Sequence, residues 1–564
     1  MLRRLSALFV DASACVGLLV VLTGGFRTRH HPLLHDLTVM SYGPFFLPLA
    51  VCMVLRWRPE GSYVLPLIDR LRERIDALPP RRLQQWVIAT ITLGTIGHGL
   101  VVYLHHFAFQ TGMDLAIYAN ACRGALYSTM KGDVWLLADH FEPMLILFTP
   151  LCRAMSPAIA LLGVQVLSFA IGAYGIFALA RHQGWSGSLS WLVGTLYLVF
   201  AGHVTIIYYD FHLLALTLGV IPWLWWALAT KRYAWVVALG LFYLGLKESV
   251  ALSIVGFGAY VFLQHRDTAG RRVGVGFMVL GIVTFALIMK VIYPYFRGGD
   301  GTMYFAKYYG HLGANLSEFV TTVITRPGYF IVSLLRPAKV EYVLALIVPF
   351  LLFPLRYPIY LLPIVPAVLV NILSNDENLL GRAYHYEAEI YPALFAMAIL
   401  AFTHAPRARA LWLAVMLVGF SEQSALGIAR WSVPSKKHQQ LAQQLKEHTP
   451  YDRAIAAPQR LAAHLTDREK LYMFDYWGME DDWQRAEIVV IGYPGEDMGY
   501  YTWPQFIEDK LPQILPGLRE IFTDPDDPNF RIYETIHQRA SDDGGTSDSA
   551  DEDPTGSSAM NLVR

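Results

Sequence analysis

Cysteine and charge are both scarce in this chain, and each shortage excludes something. Only four of the 564 residues are cysteine. Cys15, Cys52, Cys122 and Cys152 are scattered through hydrophobic stretches without CxxC spacing, which argues against a zinc site and against a disulfide framework. Charged residues amount to 16% and cancel to a formal net charge of zero, so no global attraction to nucleic acid is expected. No internal repeat is evident, and the C-terminal region holds neither a nucleotide-binding glycine loop nor a nucleophile elbow.

Apolar side chains are abundant instead, at 54%. Apolar runs of roughly 17–25 residues recur down to about residue 428, the length a helix needs to cross a bilayer. Residues 86–109, 188–206, 213–228, 273–293 and 408–427 are the clearest. Residues 5–25 follow Arg3 and Arg4 and resemble a signal peptide. Asp11 interrupts the apolar core and no small-x-small cleavage site follows, so a retained anchor is expected.

Basic residues set the expected orientation. Arg56, Arg58, Arg70, Arg72, Arg74, Arg81 and Arg82 crowd the connection after the second span. Every second connection beyond it is also basic: Arg181-His182, Lys231-Arg232, Arg266 with Arg271-Arg272, and Arg407 with Arg409. The intervening connections, 110–142, 208–212, 247–248, 294–339 and 375–389, are acidic or mixed. About 13 crossings follow, with the N-terminus cytoplasmic and the C-terminus outside. Pro143, Pro150 and Pro157 predict a broken or re-entrant segment before the span that ends near residue 181.

The expected fold is thus an α-helical polytopic membrane protein with a small C-terminal α/β soluble domain. Residues 1–85 supply two spans and a basic loop, 86–428 the membrane core, 429–540 the extracytoplasmic domain and 541–564 a disordered acidic tail. In the soluble part, 436–447 reads as a polar helix, 454–457, 470–474 and 486–491 as buried strands, 503–511 as a helix, and 522–523 with 530–533 as a pair.

The chemistry concentrates on the outer side, where desolvating carboxylates and histidines would be costly unless they served a site. Leu115, Tyr118, Cys122, Ala125, Leu126 and Thr129 recur at three- and four-residue spacing. Asn120, Arg123, Tyr127 and Lys131 share the other face, and Gly132 is a natural stop. This predicts an amphipathic interfacial helix with Asp114 at its start, as a helix cap or as a general base. Asp139, His140 and Glu142 form a short run that could be a solvated loop, acid/base groups or ligands, Asp139 and His140 being candidates for a divalent metal such as Mg or Mn. Asp210 and His212 close a tight hairpin. Lys247 and Glu248 interrupt an apolar stretch, either as an internal ion pair or with the lysine holding a phosphate. Tyr304 and Lys307 lie in an aromatic, basic segment suited to interfacial anchoring or to a sugar phosphate. Arg382 and His385 open the next span, Arg382 being the best guanidinium for a phosphate.

The ordered series MDLAIYAN, LADHFEP, YYDFH, LKES, and NILSN with AYHYEAE resembles a bacterial family of predicted membrane proteins grouped with the GT-C superfamily of integral-membrane glycosyltransferases. The likeness covers most of residues 86–400 and continues loosely into the soluble domain; the two N-terminal spans look like additions. It implies a GT-C-like fold, and transfer of sugar from a polyprenyl-phosphate-linked donor to a glycan, lipid or protein acceptor, usually with inversion. It also implies a catalytic carboxylate in the first large outer loop, ahead of an interfacial helix. Asp114 stands in that position. The commonest form has an adjacent acidic pair, but Met113 and Leu115 flank Asp114 here, which leaves Asp139 as a competing base. Under this reading His140, Glu142, Asp210, His212, Lys247, Glu248, Tyr304, Lys307, Arg382 and His385 bind substrate, within a membrane-lipid setting and without nucleic acid. The competing readings are a lipid or glycan transporter, which would place ionisable groups near the bilayer midplane, and a non-catalytic membrane assembly protein.

Overall fold

The computed structural model describes residues 4–12, 61–130, 133–297, 307–381, 384–422, 433–474, 481–492 and 511–536. The expected N-terminal spans beyond residue 12, Tyr304, Arg382, the body of the 503–511 helix and the acidic tail lie outside the described residues.

Helix α1 (Val64–Asp76) starts where Asp11 accepts hydrogen bonds from the Ser62 hydroxyl and the Tyr63 and Val64 amides. The carboxylate that breaks the first apolar run is therefore a cap supplied from a distance. Helix α2 (Pro80–Phe107) leads into α3 (Met113–Arg123). A broken segment follows, 3-10 over Pro143–Phe148 and α-helical over Thr149–Ala154, before α4 (Pro157–His182). Helices α5 (Gly187–Val199) and α6 (Ala201–Tyr208) form a pair bent by 45°. Then come α7 (Thr217–Ala229), α8 (Tyr233–Leu244), α9 (Val250–Gln264), α10 (Thr268–Leu287, extended as helix to Arg297), α11 (Ile390–Phe402) and α12 (Pro406–Glu422).

Among the described residues three helices are long and apolar enough to cross a membrane: α2, α4 and α10 with its extension. The bent pair makes a fourth, and five shorter apolar helices accompany them. This is fewer full-length helices than the 13 crossings expected. The prolines announce the broken segment at 143–154, but apolar composition does not register the break at Phe200, where the backbone leaves the helix between α5 and α6.

Close packing holds these helices together. A Cβ at Gly172 on α4 would collide with the Leu218 carbonyl on α7, and one at Gly219 would collide with Ser168 on α4. Paired glycines let two backbones touch, the usual solution where lipid supplies no hydrophobic drive between helices.

The connections sort into two ends. At one, the Ser188 amide donates to Asp76 (2.7 Å), Lys231 pairs with Asp267 (3.8 Å), and the Arg409 guanidinium lies over Trp185, whose indole donates to Thr403. The acidic connections meet at the other end, which also carries the C-terminal layer. There α13 (Lys436–His448) precedes a five-stranded mixed sheet. With β1 (Tyr127–Ser128) and β2 (Val134–Trp135) forming a small hairpin, the sheet strands are β3 (Ile455–Ala456), β4 (Leu471–Tyr472), β5 (Ile488–Ile491), β6 (Leu518–Thr523) and β7 (Arg531–Thr535), in spatial order β4-β3-β5-β7-β6. The β3 pairings with β4 and β5 are parallel, the others antiparallel. The layer docks where the Thr129 hydroxyl meets the Leu471 carbonyl (2.6 Å) and where His464 stacks on His106 and Phe109.

Candidate active site

Five connections at the acidic end bring their polar groups together. Helix α3 is the first. It stops at Arg123, not near Gly132, and residues 115–122 are all buried rather than split between two faces. Gly124 is followed by Ala125 and Leu126, both with positive φ, which turn the chain back into the β1–β2 hairpin. Asn120 faces that turn and accepts from Ser128 and Thr129, so a residue expected on the polar face of an interfacial helix is an internal strut. Cys122 is disulfide-bonded to Cys152 in the broken segment, which corrects the expectation from spacing. Two cysteines 30 residues apart carry no local signature, and only the inward fold of the broken segment makes them neighbours.

Asp114 is not the cap of α3. Asp210, from the α6–α7 connection, caps it instead, one of its oxygens accepting from the Gly112 amide (2.8 Å) and the other from the Asp114 amide (3.2 Å). The Asp114 side chain is thereby turned to His212 Nε2 and the Tyr209 hydroxyl, both 3.0 Å from its Oδ2. Gln165, in the middle of α4, fixes this hairpin by accepting from the His212 amide and donating to the Ile207 and Asp210 carbonyls. His385 stacks on His212 at 3.3 Å between ring centroids, and both of its ring nitrogens lack a partner among the described residues.

A second group adjoins the first through Tyr118, one turn along α3. Its hydroxyl donates to Glu142 (2.9 Å), while the other Glu142 oxygen is buried without a partner among the described residues. Glu248 reaches back to His140 Nδ1 (3.0 Å) and to the Phe141 amide (3.1 Å). Of the two readings of Lys247 and Glu248, the internal ion pair is not formed. Adjacent residues on a turn point apart, and Glu248 takes the partner across the cleft. The half-buried Lys247 side chain makes no hydrogen bond or ion pair among the described residues, yet its charge acts on Glu142, Glu248, His140, His212 and His385. Asp139 lies 4.0 Å from His140 Nε2, and its carbonyl and that of Ala138 accept from Arg297. Glu389, at the head of α11, accepts from Tyr243 (2.6 Å) and Ser249 (3.2 Å). Lys307 is exposed and rests over the Tyr308 ring rather than among the carboxylates.

Residues 103–506 match the family model described as Predicted membrane protein (DUF2079). The chain belongs to that family. The matched span contains every residue of the cluster. None of the curated proteins matches the chain. Among solved structures it is similar to ArnT from Cupriavidus metallidurans bound to undecaprenyl phosphate, at 12% identity and a TM-score of 0.47, covering 80% of this chain and 98% of that one. It is also similar to the Archaeoglobus fulgidus oligosaccharyltransferase tethered with an acceptor peptide, at 11% identity and a TM-score of 0.37, covering 80% and 74%.

The electrostatics of this DUF2079 site follow from burial and neighbours. Burial, and then the Asp114 carboxylate, push Asp210 up to about 7, against the pull of its backbone donors. Burial likewise raises Glu142 to about 7. Burial would raise Glu248 too, but the charge and hydrogen bond of His140, together with the Lys247 charge and a backbone donor, outweigh it and hold the carboxyl at about 2. Among the described residues no three His, Cys, Asp or Glu side chains are placed to hold a metal ion. Asp139 and His140 alone are too small a donor set for a resident cation without substrate oxygens. Sequence reading gave no role to Gln165 or Arg297 and treated Tyr118 as a core position. Gln165 carried a signal, being the lone amide in an apolar span; Tyr118 carried none, since its spacing matches that of a core residue.

Proposed function

We propose that the chain is an integral-membrane glycosyltransferase that moves a sugar from a polyprenyl-phosphate-linked donor to an acceptor at the site end of the bundle, with Asp114 as general base. One observation carries the reading. Asp114, 21% exposed at its side chain, is released from helix capping by Asp210 and oriented by His212 and Tyr209. An oriented, partly exposed carboxylate among buried polar groups is what proton abstraction needs. The sequence series shared with the GT-C-grouped family supports the reaction class.

In the proposed reaction the acceptor oxygen attacks the anomeric carbon while its proton passes to Asp114. The bond from that carbon to the lipid phosphate breaks, and the phosphate leaves with the electron pair, its charge answered by Lys247. His212 holds Asp114 in place, and His385 stacks against His212 with ring nitrogens available to the substrate. No step is routed through a metal. The site end is proposed to be extracytoplasmic. The arginine-rich connections lie at the opposite end, and the Cys122–Cys152 disulfide at the site end belongs to an oxidising compartment. The ionisable groups sit in connections rather than mid-span, which favours transfer chemistry over transport.

The test is sugar transfer by purified protein given labelled polyprenyl-phosphate sugars, with Asp114→Asn as the variant. Wild-type transfer that the variant lacks is the expected result; full activity in the variant removes Asp114 as the base.

A further inference from the structure

At the end opposite the carboxylate cluster, the α9–α10 connection and the first half of α10 border an open groove with a volume of about 790 Å³. Its head is formed by Arg266, Arg271 and Arg272, all exposed. Its floor runs down the helix over Val275, Val279 and Val283, with Gly276 beside them. A Cβ at Gly276 would meet nothing within 4 Å, so the glycine leaves a notch in this wall.

The three guanidinium groups have no carboxylate partner among the described residues. Asp267, the one acid between residues 266 and 272, is occupied by the Tyr233 hydroxyl, the Gly270 amide and Lys231. Arg271 lies 5.9 Å from the centroid of the Phe262 ring, a contact that spends no hydrogen-bond donor. Helix α10 is the least covered of the long apolar helices, only 17% of its apolar window being buried, so the described residues leave this wall of the groove open. Three unpaired cations above an apolar channel match an amphiphile with an anionic head and a hydrocarbon tail, and arginine suits a phosphate better than lysine does.

We propose that this groove is a binding site for an anionic phospholipid. Its phosphate is held by Arg266, Arg271 and Arg272, and one acyl chain lies along Val275 to Val283 past Gly276. The site is separate from the proposed sugar-transfer centre and does not depend on that activity. It takes its lipid from the leaflet at the arginine-rich end, where basic pockets beside membrane helices meet anionic headgroups.

The test uses the full-length protein in nanodiscs of phosphatidylcholine, titrated with phosphatidylglycerol and followed by native mass spectrometry and thermal unfolding. Wild type should retain phosphatidylglycerol and gain thermal stability from it. The double variant Arg271→Gln/Arg272→Gln should bind it on the order of twentyfold more weakly, from about fivefold per arginine. Gly276→Leu keeps all three charges and improves helix propensity, yet should also weaken binding by filling the notch. Equal retention of phosphatidylcholine and phosphatidylglycerol by wild type would overturn the proposal, as would an unchanged preference in both variants. Stabilisation by inorganic phosphate alone, equal to that by the lipid, would overturn the lipid assignment.

Discussion

Asp210 caps the helix that carries Asp114, accepting from the Gly112 and Asp114 amides at 2.8 and 3.2 Å. Two carboxylates 96 residues apart thus divide two roles that a single residue could not fill together. One satisfies backbone donors and is buried. The other is turned to His212 and Tyr209.

Asp114→Asn should therefore reduce transfer by about 10²-fold or more while leaving the fold intact. Thermal unfolding of the variant should stay close to wild type, because the cap does not depend on residue 114. A large fall in stability accompanying the loss of activity would show that Asp114 is structural.

Asp210→Ala should act in the opposite proportion. It leaves the first turn of α3 with unpaired amides, at a cost of about 1–2 kcal/mol. Transfer should fall because Asp114 loses its position. Asp210→Asn, which keeps one acceptor oxygen, should recover part of both, measured as unfolding temperature and as kcat.

Stability should also depend on pH. Asp210 and Glu142 have ordinary values near 4 and 4.5, and each is pushed up to about 7 in the fold, chiefly by burial. The folded state holds these protons more tightly than the unfolded chain. Their contribution is therefore fully present below about 4 and is lost as pH rises through about 7. Unfolding temperatures should fall between about pH 4.5 and 7 and level off above about 8, and Glu142→Gln should flatten that slope while keeping an acceptor for Tyr118.

The disulfide predicts a further effect. Cys122 belongs to the helix of Asp114 and Tyr118, and Cys152 to the broken segment that follows Glu142. Cys122→Ser should lower stability by about 2–4 kcal/mol. Transfer should become sensitive to temperature, and the wild-type band alone should shift between reducing and non-reducing gels.

Much of this arrangement is legible in the chain because charge is expensive in an apolar protein. Asp114, Asp139, His140, Glu142, Asp210, His212, Lys247, Glu248 and His385 are conspicuous against the surrounding leucine and valine, and charge alternation assigns them to one side. Three things are not legible. Which carboxylate caps and which is presented depends on a contact across 96 residues, which no local spacing encodes. The burial of α3 depends on the broken segment closing over it, so its helical periodicity mimics that of a surface helix. Cys122 and Cys152 look like ordinary apolar fillers until that segment folds in.

Helices α8, α9 and α11 have 12, 15 and 13 residues. At 1.5 Å per residue each rises only about 18–22 Å, against a hydrocarbon thickness of about 30 Å. Gln165, two turns inside α4, accepts from the His212 amide and donates to the Asp210 carbonyl, so the cluster lies about 12 Å below the site-side end of α4. The polar cluster thus lies at the bottom of a well in the helix bundle, not on its rim. The proposed lipid-linked donor would enter such a well sideways between helices, and the acceptor would descend into it past the C-terminal layer.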